Sequence, residues 1–277
     1  MTTIAILTDF GTTDIYVGVM KGVMLNITPG ASIVDITHAV RPQDVRQGAF
    51  LLMNSYRYFP SGTIFLCVVD PGVGSARQPI AVQSGDYTFV APDNGLLSWA
   101  LLELGEAKPV ALTNPAYRLP QISSSFHGRD IFAPAAAHLA NGTPLEAFGA
   151  ALDAIVTLPA PTLRVDARQI EGEVLDIDHF GNIVTSIGHL IWKSPEALAL
   201  QPRFGDIGAA LHPHDVIITL GGARLPCIRR TYSETARGDL LAMVGSSGFL
   251  EIAVNQGNAA AQLGVSPGDA VRLEMGS

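Results

Sequence analysis

Three loops in the first half of the chain carry groups suited to moving a proton or holding a polar ligand. Asp9 lies in Thr8-Asp9-Phe10-Gly11, Asp70 and Arg77 bracket Asp70-Pro71-Gly72-Val73-Gly74-Ser75-Ala76-Arg77, and His127 shares Phe126-His127-Gly128-Arg129-Asp130 with a second Arg–Asp pair. A carboxylate beside a guanidinium stays ionised, and one hydrogen-bonded to an imidazole raises that ring's basicity. An Asp, an Arg and a His converging from separate loops would orient a water molecule and draw off part of its proton. Taken singly, the same residues have structural roles: Asp-Pro-Gly makes a turn, a lone His makes a hydrogen-bonded spacer, and Asp9 caps a turn as readily as it holds a ligand.

The second half offers one comparable stretch, Asp176-Ile177-Asp178-His179-Phe180-Gly181-Asn182. It puts a carboxylate, an aromatic face and a carboxamide at the end of an apolar run. An Asn amide matches the hydrogen-bonding edge of a purine and an aromatic ring stacks on it; the local alternative is an Asp-His turn before a Gly-Asn bend. Other chemistries lack their sequence support. Gly245-Ser246-Ser247-Gly248 is a turn without the strand–helix context of a nucleophile elbow. Gly72-Val73-Gly74 lacks the third glycine and the helix of a dinucleotide loop, and no Walker A sequence occurs. The seven histidines show no zinc-type spacing, so no metal is expected.

These loops need elements to hold them. Ile4–Leu7 is an apolar strand that delivers Asp9; Thr12, Thr13 or Asp14 is placed to cap a helix with Val17, Met20, Met24 and Leu25 on its buried face. Ser32–Ile36 is a second strand, followed by a helix with Val45, Ala49, Leu52 and Tyr56 on one face. Thr63–Val69 is almost continuously apolar, as a strand buried on both faces should be. Ile80–Gln83, Thr88–Ala91 and Val110–Leu112 are further strands, Leu96–Leu104 a helix, and His127 precedes a helix running from Ile131 towards Gly142. Alternation of strands and helices places ligands at the carboxyl ends of parallel strands. It stops near Ala151, and Pro-rich residues 159–164 form a linker between domains 1–158 and 165–277. Short strands then recur at Ile170–Ile177, Ile183–Ser186, Val216–Leu220, Arg224–Ile228, Leu240–Val244, Leu250–Val254 and Ala270–Leu273, separated by Gly-rich turns. The fold class is α/β: an N-terminal domain with a mostly parallel central sheet, and a smaller C-terminal all-β barrel.

Composition limits the partners. Of 277 residues, 48% are hydrophobic and 15% charged, which describes a packed globular chain rather than a disordered one. A net charge of −8 without a basic cluster argues against nucleic acid and anionic membranes. No apolar run approaches the roughly 18 residues of a membrane span. Two cysteines, Cys67 and Cys227, both in apolar runs, read as buried thiols of a reducing compartment. With no basic, apolar leader at the N-terminus, a cytoplasmic location is expected.

Together the stretches TDFGTTDIYVGVMKG (8–22), DITHAV (35–40), VVDPGVGSAR (68–77), APDNGLLS (91–98), SFHGRDIFAPAAAHLA (125–140), IDHFGNIVTSI (177–187) and GSSGFLEIAVNQGNAA (245–260) resemble the SAM hydroxide adenosyltransferases, which hydrolyse S-adenosyl-L-methionine (SAM) to adenosine and methionine and are related to the adenosyl-fluoride and adenosyl-chloride synthases. The resemblance implies SAM as substrate, no cofactor, and a homotrimer with substrate held between subunits. It implies Asp70, Arg77 and His127 as the water-activating triad and Asp9 as the acid on the ribose hydroxyls. Phe126, Asp178 near the substrate ammonium, Phe180 against adenine, Asn182 as the adenine reader and Ser246 at the methionine carboxylate follow as substrate contacts. Ser247, where the halide-using relatives carry Arg, and Glu251, Val254 and Asn255 complete the set. The halide users lack an acid at position 70 and a His at position 127, and carry an extended loop that this chain lacks. Hydrolysis is therefore the expected activity, with halide transfer and non-catalytic binding of SAM or adenosine as alternatives.

Overall fold

The computed structural model describes residues 2–276. The chain divides into a unit ending at Leu158 and a unit beginning at Pro159. In the first, strands β1 (Thr3–Thr8), β2 (Ser32–Thr37), β3 (Ile64–Val68), β4 (Pro79–Ser84), β5 (Tyr87–Pro92) and β6 (Ala107–Ala111) form one sheet in the order β2-β1-β3-β5-β4-β6. β2, β1, β3 and β5 are mutually parallel; β4 runs antiparallel to both β5 and β6.

The period of two along β1 explains the layers. Ile4 and Ile6 face one core with α1 (Tyr16–Ile27) and α4 (Ala133–Ala140), while Ala5 and Leu7 face another with α2 (Val45–Ser55) and α3 (Ser98–Leu104). Two-sided burial accounts for the uninterrupted apolar run of β3, all of it buried.

The first helix departs from expectation at both ends. Ile15 precedes it and no side chain caps it, because the bends at residues 12–15 place Ile15, rather than Thr12, Thr13 or Asp14, at the cap position. Val17, Met20 and Met24 are buried as expected, but Leu25 is 44% exposed. The helix after His127 opens on a π-helical turn, Gly128–Phe132, before α4 begins.

In the second unit, β7 (Leu163–Val165), β8 (Gln169–Ile177), β9 (Ile183–Gly188), β10 (Leu190–Ser194), β11 (Ala197–Leu200), β12 (Ala209–Leu211), β13 (Val216–Leu220), β14 (Ala223–Leu225), β15 (Ile228–Arg229), β16 (Leu240–Val244), β17 (Phe249–Val254) and β18 (Ala270–Met275) surround a single core. The path β14-β13-β18-β8-β9-β17-β16-β15, with β14 returning against β16, makes a nearly closed barrel-like sheet; β10-β11-β12 form a separate three-stranded sheet.

Four features correct the sequence reading. Leu163 and Arg164, assigned to the linker, are strand residues paired with β8. Arg224–Ile228 is two strands: Pro226 has no N–H for a ladder, so the chain leaves β13 and rejoins beside β16. A short helix, α5 (Ala259–Leu263), capped by the Asn258 side chain, interrupts the all-β pattern. Cys67 is buried but Cys227 is only partly so. Among the described residues no helix is long and apolar enough to cross a membrane.

Candidate active site

Thr8 of β1 aligns with Val68 of β3, so Asp9 and Asp70 leave neighbouring parallel strands at the same carboxyl edge. The Asp70–Arg77 loop then folds on itself through Val73 N–H to Asp70 O (3.2 Å) and Ser75 N–H to Gly72 O (3.0 Å). Gly74, at φ +77°, lies so close to the Ser124 carbonyl that a Cβ would sit 2.5 Å from that oxygen. This close approach ties the Arg77 loop to the segment that delivers His127.

The three groups meet there. The Arg77 Nε–H donates to Asp70 Oδ1 at 2.8 Å, its Nη2 donates to Asp70 Oδ2, and the same Nη2 donates to His127 Nδ1 at 2.8 Å. The Asp70 and Arg77 side chains are only 5% and 9% exposed, and the guanidinium carbon lies 5.1 Å from the centre of the Phe132 ring. Burial lowers the His127 pKa below 6.5, and the Arg77 charge adds to that; Asp70 and Asp130 pull the other way.

Arg129 and Asp130, which the sequence groups with His127, serve the scaffold. Fully buried Asp130 accepts from Arg129 Nε at 2.6 Å and from the Ser123 N–H at 2.7 Å, and so holds the loop before His127. Phe126 meets Phe10 and Tyr16 edge-on, with centroids 6.0 and 5.2 Å away, linking the loop of Asp9 to that of His127. Asp9 is not bonded to the Asp–Arg–His network. Its Oδ2 accepts the backbone N–H of Gln43 at 2.7 Å, and Gln43 has a left-handed φ of +68°. Both readings of Asp9 therefore keep a basis: one oxygen anchors a turn, and a carboxylate has further lone pairs to offer.

In the barrel unit Asp178 builds the turn that carries Phe180 and Asn182. Its Oδ1 accepts from the backbone N–H groups of Phe180 (2.8 Å) and Asn182 (2.9 Å), and its Oδ2 from Asn182 Nδ2 (2.9 Å). Gly181 (φ +86°) packs against the Asn258 side chain where a Cβ has no room. Phe180 is 72% exposed, whereas Asn182 is buried. A cavity of about 590 Å³ is lined by Phe180, Asn182, Tyr232, Val254, Asn255, Gln256 and Gly257.

Tyr232 lines the same cavity and is absent from the candidates named from the sequence. It sits in a polar single-turn segment, Tyr232–Glu234, with no periodicity to mark it, yet its hydroxyl donates to Glu251 Oε1 at 2.8 Å and accepts from Asn182 Nδ2 at 3.3 Å. Burial, reinforced by the Asp178 charge, raises the Glu251 pKa against the opposing pull of the Tyr232 hydroxyl. Burial and Glu251 together raise that of Tyr232. Ser246 (exposed) and Ser247 (partly buried) form the β16–β17 turn, and a Cβ on neighbouring Gly245 would lie 2.5 Å from Glu251 Oε2. Asn255 is anchored by its Nδ2 donating to Thr235 O at 2.9 Å. A larger cleft, about 650 Å³ and edged by Arg164, Arg224 and Arg272, contains none of these residues. Among the described residues no group of three or more His, Cys, Asp or Glu is arranged to hold a metal ion.

An α/β unit with an Asp–Arg–His network at its strand ends, followed by a small barrel with an Asn-walled cavity, defines a class of two-part enzymes, and family comparison names it. The family models described as SAM hydroxide adenosyltransferase N-terminal domain and C-terminal domain match residues 4–149 and 172–272, and the chain belongs to this family. It is 41% identical to an (R)-S-adenosyl-L-methionine hydrolase of Salinispora tropica, over 99% of this chain and 98% of that one. A protein of the same name from Thermus thermophilus is 39% identical over 96% and 97% of the two chains, and a fluorinase from an Actinoplanes species 30% identical over 91% and 90%. The crystal structure of an uncharacterized conserved protein from Thermotoga maritima superposes with a TM-score of 0.84 at 36% identity, covering 98% of this chain and 99% of that one.

Proposed function

We propose that this protein hydrolyses SAM to adenosine and L-methionine by attack of water on C5′. The observation that carries the reading is the Asp70–Arg77–His127 network at the strand ends, whose carboxylate would oppose the entry of a halide anion beside it. Hydrolase relatives at about 40% identity over the whole chain support it, the fluorinase relatives being more distant.

The hydrogen bonds assign roles. A guanidinium only donates, so His127 Nδ1 must be the bare, accepting nitrogen and the neutral ring carries its proton on Nε2. His127 then orients water by donating from Nε2, and Asp70, which keeps unused lone pairs beside its two Arg77 bonds, takes the proton. Arg77 stabilises hydroxide character on the oxygen. As the O–C5′ bond forms, the C5′–S bond breaks and its electron pair stays on sulfur, which leaves as the neutral thioether of methionine. That leaving group requires no general acid, and positive charge disperses in the transition state, which a weakly polar pocket favours. In this reading Asp9 and Phe126 contact the ribose side of the substrate. Phe180, Asn182, Val254 and Asn255 contact the base, and Asp178, Ser246, Ser247 and Glu251 line the methionine side. No cofactor takes part. The protein assembles as a homotrimer, to be checked by light scattering.

Incubation with SAM and excess chloride or fluoride tests the reading. Adenosine and methionine should appear in equal amounts. A halogenated nucleoside as the main product would establish halide transfer instead, and SAM bound but unconsumed would establish a binding protein.

A further inference from the structure

Asn182 stands in the wall of the barrel-unit cavity, and its amide is committed by its neighbours. An Asn amide presents two N–H donors on one side and a carbonyl acceptor on the other, and rotation by a half-turn exchanges them. Here both donors are taken: Nδ2 lies 2.9 Å from Asp178 Oδ2 and 3.3 Å from the Tyr232 hydroxyl. The hydroxyl has one proton, and that proton goes to Glu251 Oε1 at 2.8 Å, so towards Asn182 it can only accept. Turning the amide over would press its carbonyl oxygen against a carboxylate and a phenol lone pair.

We propose that Tyr232 and Glu251 are specificity-determining positioning residues: they lock the Asn182 carbonyl towards the cavity, so that the site selects a purine bearing a 6-amino group over one bearing a 6-oxo group. The inference rests on the reading above that this cavity receives the base of the substrate. A 6-amino group donates to the carbonyl; a 6-oxo group confronts it with a second acceptor and leaves both unpaired, which recognition sites reject strongly. Asp178 fixes the amide through one hydrogen, and the Tyr232–Glu251 pair through the other.

The test is equilibrium binding of adenosine and inosine by calorimetry, alongside SAM turnover, for the wild-type protein, Tyr232→Phe and Glu251→Gln. Tyr232→Phe keeps the ring and its packing but removes one acceptor. A glutamine at 251 can donate to the Tyr232 oxygen and turn the phenol proton towards Asn182. In both variants the preference for adenosine over inosine should fall about fivefold, the share of one neutral hydrogen bond, with inosine binding gaining. Parallel weakening of both nucleosides would mark a packing role and overturn the proposal, as would an unchanged preference. Wild-type protein that produces adenosine from SAM but shows a preference indifferent to both variants overturns this inference alone. Wild-type protein that binds neither nucleoside overturns the placement of the base as well.

Discussion

Arg77 and His127 are joined by one hydrogen bond, Nη2–H to Nδ1 at 2.8 Å, and it decides which imidazole nitrogen is bare. Protonating Nδ1 would set a second cation against Arg77. Burial and Arg77 already hold the His127 pKa below 6.5. The kcat/KM profile should therefore be flat near neutrality, with an acid limb lying below pH 6.5, and the His127 contribution to that limb should be missing from a His127→Gln variant of reduced activity. The sign for stability is the same: an unfolded chain takes up the His127 proton at a higher pH than the folded one, so acidification below 6.5 also draws stability away. Circular dichroism at each pH separates the two effects.

Asp70 is the proton acceptor in this account. Asp70→Asn leaves an oxygen for one Arg77 bond but no base, and should lower kcat by about 100-fold or more while KM stays within a few-fold of wild type. Adenosine release measured by chromatography checks this; an unchanged kcat would remove Asp70 from the chemistry.

If Asp9 holds the ribose as proposed, that contact exists before and after the bond-breaking step, so Asp9→Ala should raise KM by about tenfold and change kcat little. Because Asp9 Oδ2 also tethers Gln43, Asp9→Asn, which keeps an oxygen for that N–H, separates anchoring from substrate contact. If only the Ala variant is impaired, Asp9 is an anchor of the turn.

Gly74 couples the Arg77 loop to the His127 segment. Gly74→Ala places a side chain at φ +77° and within 2.5 Å of the Ser124 carbonyl. The left-handed conformation alone costs about 1–2 kcal/mol, and each kcal/mol lowers Tm by about 2–4 °C in a protein of this size. Calorimetry should show that loss together with a fall in kcat, since the loop cannot move without displacing Arg77.

Much of this architecture is legible in the chain. The β3 run is apolar throughout because helices cover both faces, and Asp9 and Asp70 stand at strand ends because parallel strands point their carboxyl ends one way. The convergence of Asp70, Arg77 and His127 was readable only as a possibility from spacing, and the family resemblance made it a specific assignment. What escaped depends on pairings between distant residues. Tyr232 lies 50 residues from Asn182 and 19 from Glu251 in sequence, so no local pattern marks it. Arg129 and Asp130 looked chemical because they flank His127, yet they bond each other. The strands β10 to β12 are three to five residues long, too short for a period of two to register, and Pro226 divides what reads as one strand.

Hydrolysis in water enriched in ¹⁸O tests the central claim most directly. Attack of water on C5′ predicts one ¹⁸O atom in the 5′-hydroxyl of the adenosine released, with unlabelled methionine beside it in equal amount. Adenosine without the label, or a label found in methionine, would contradict it.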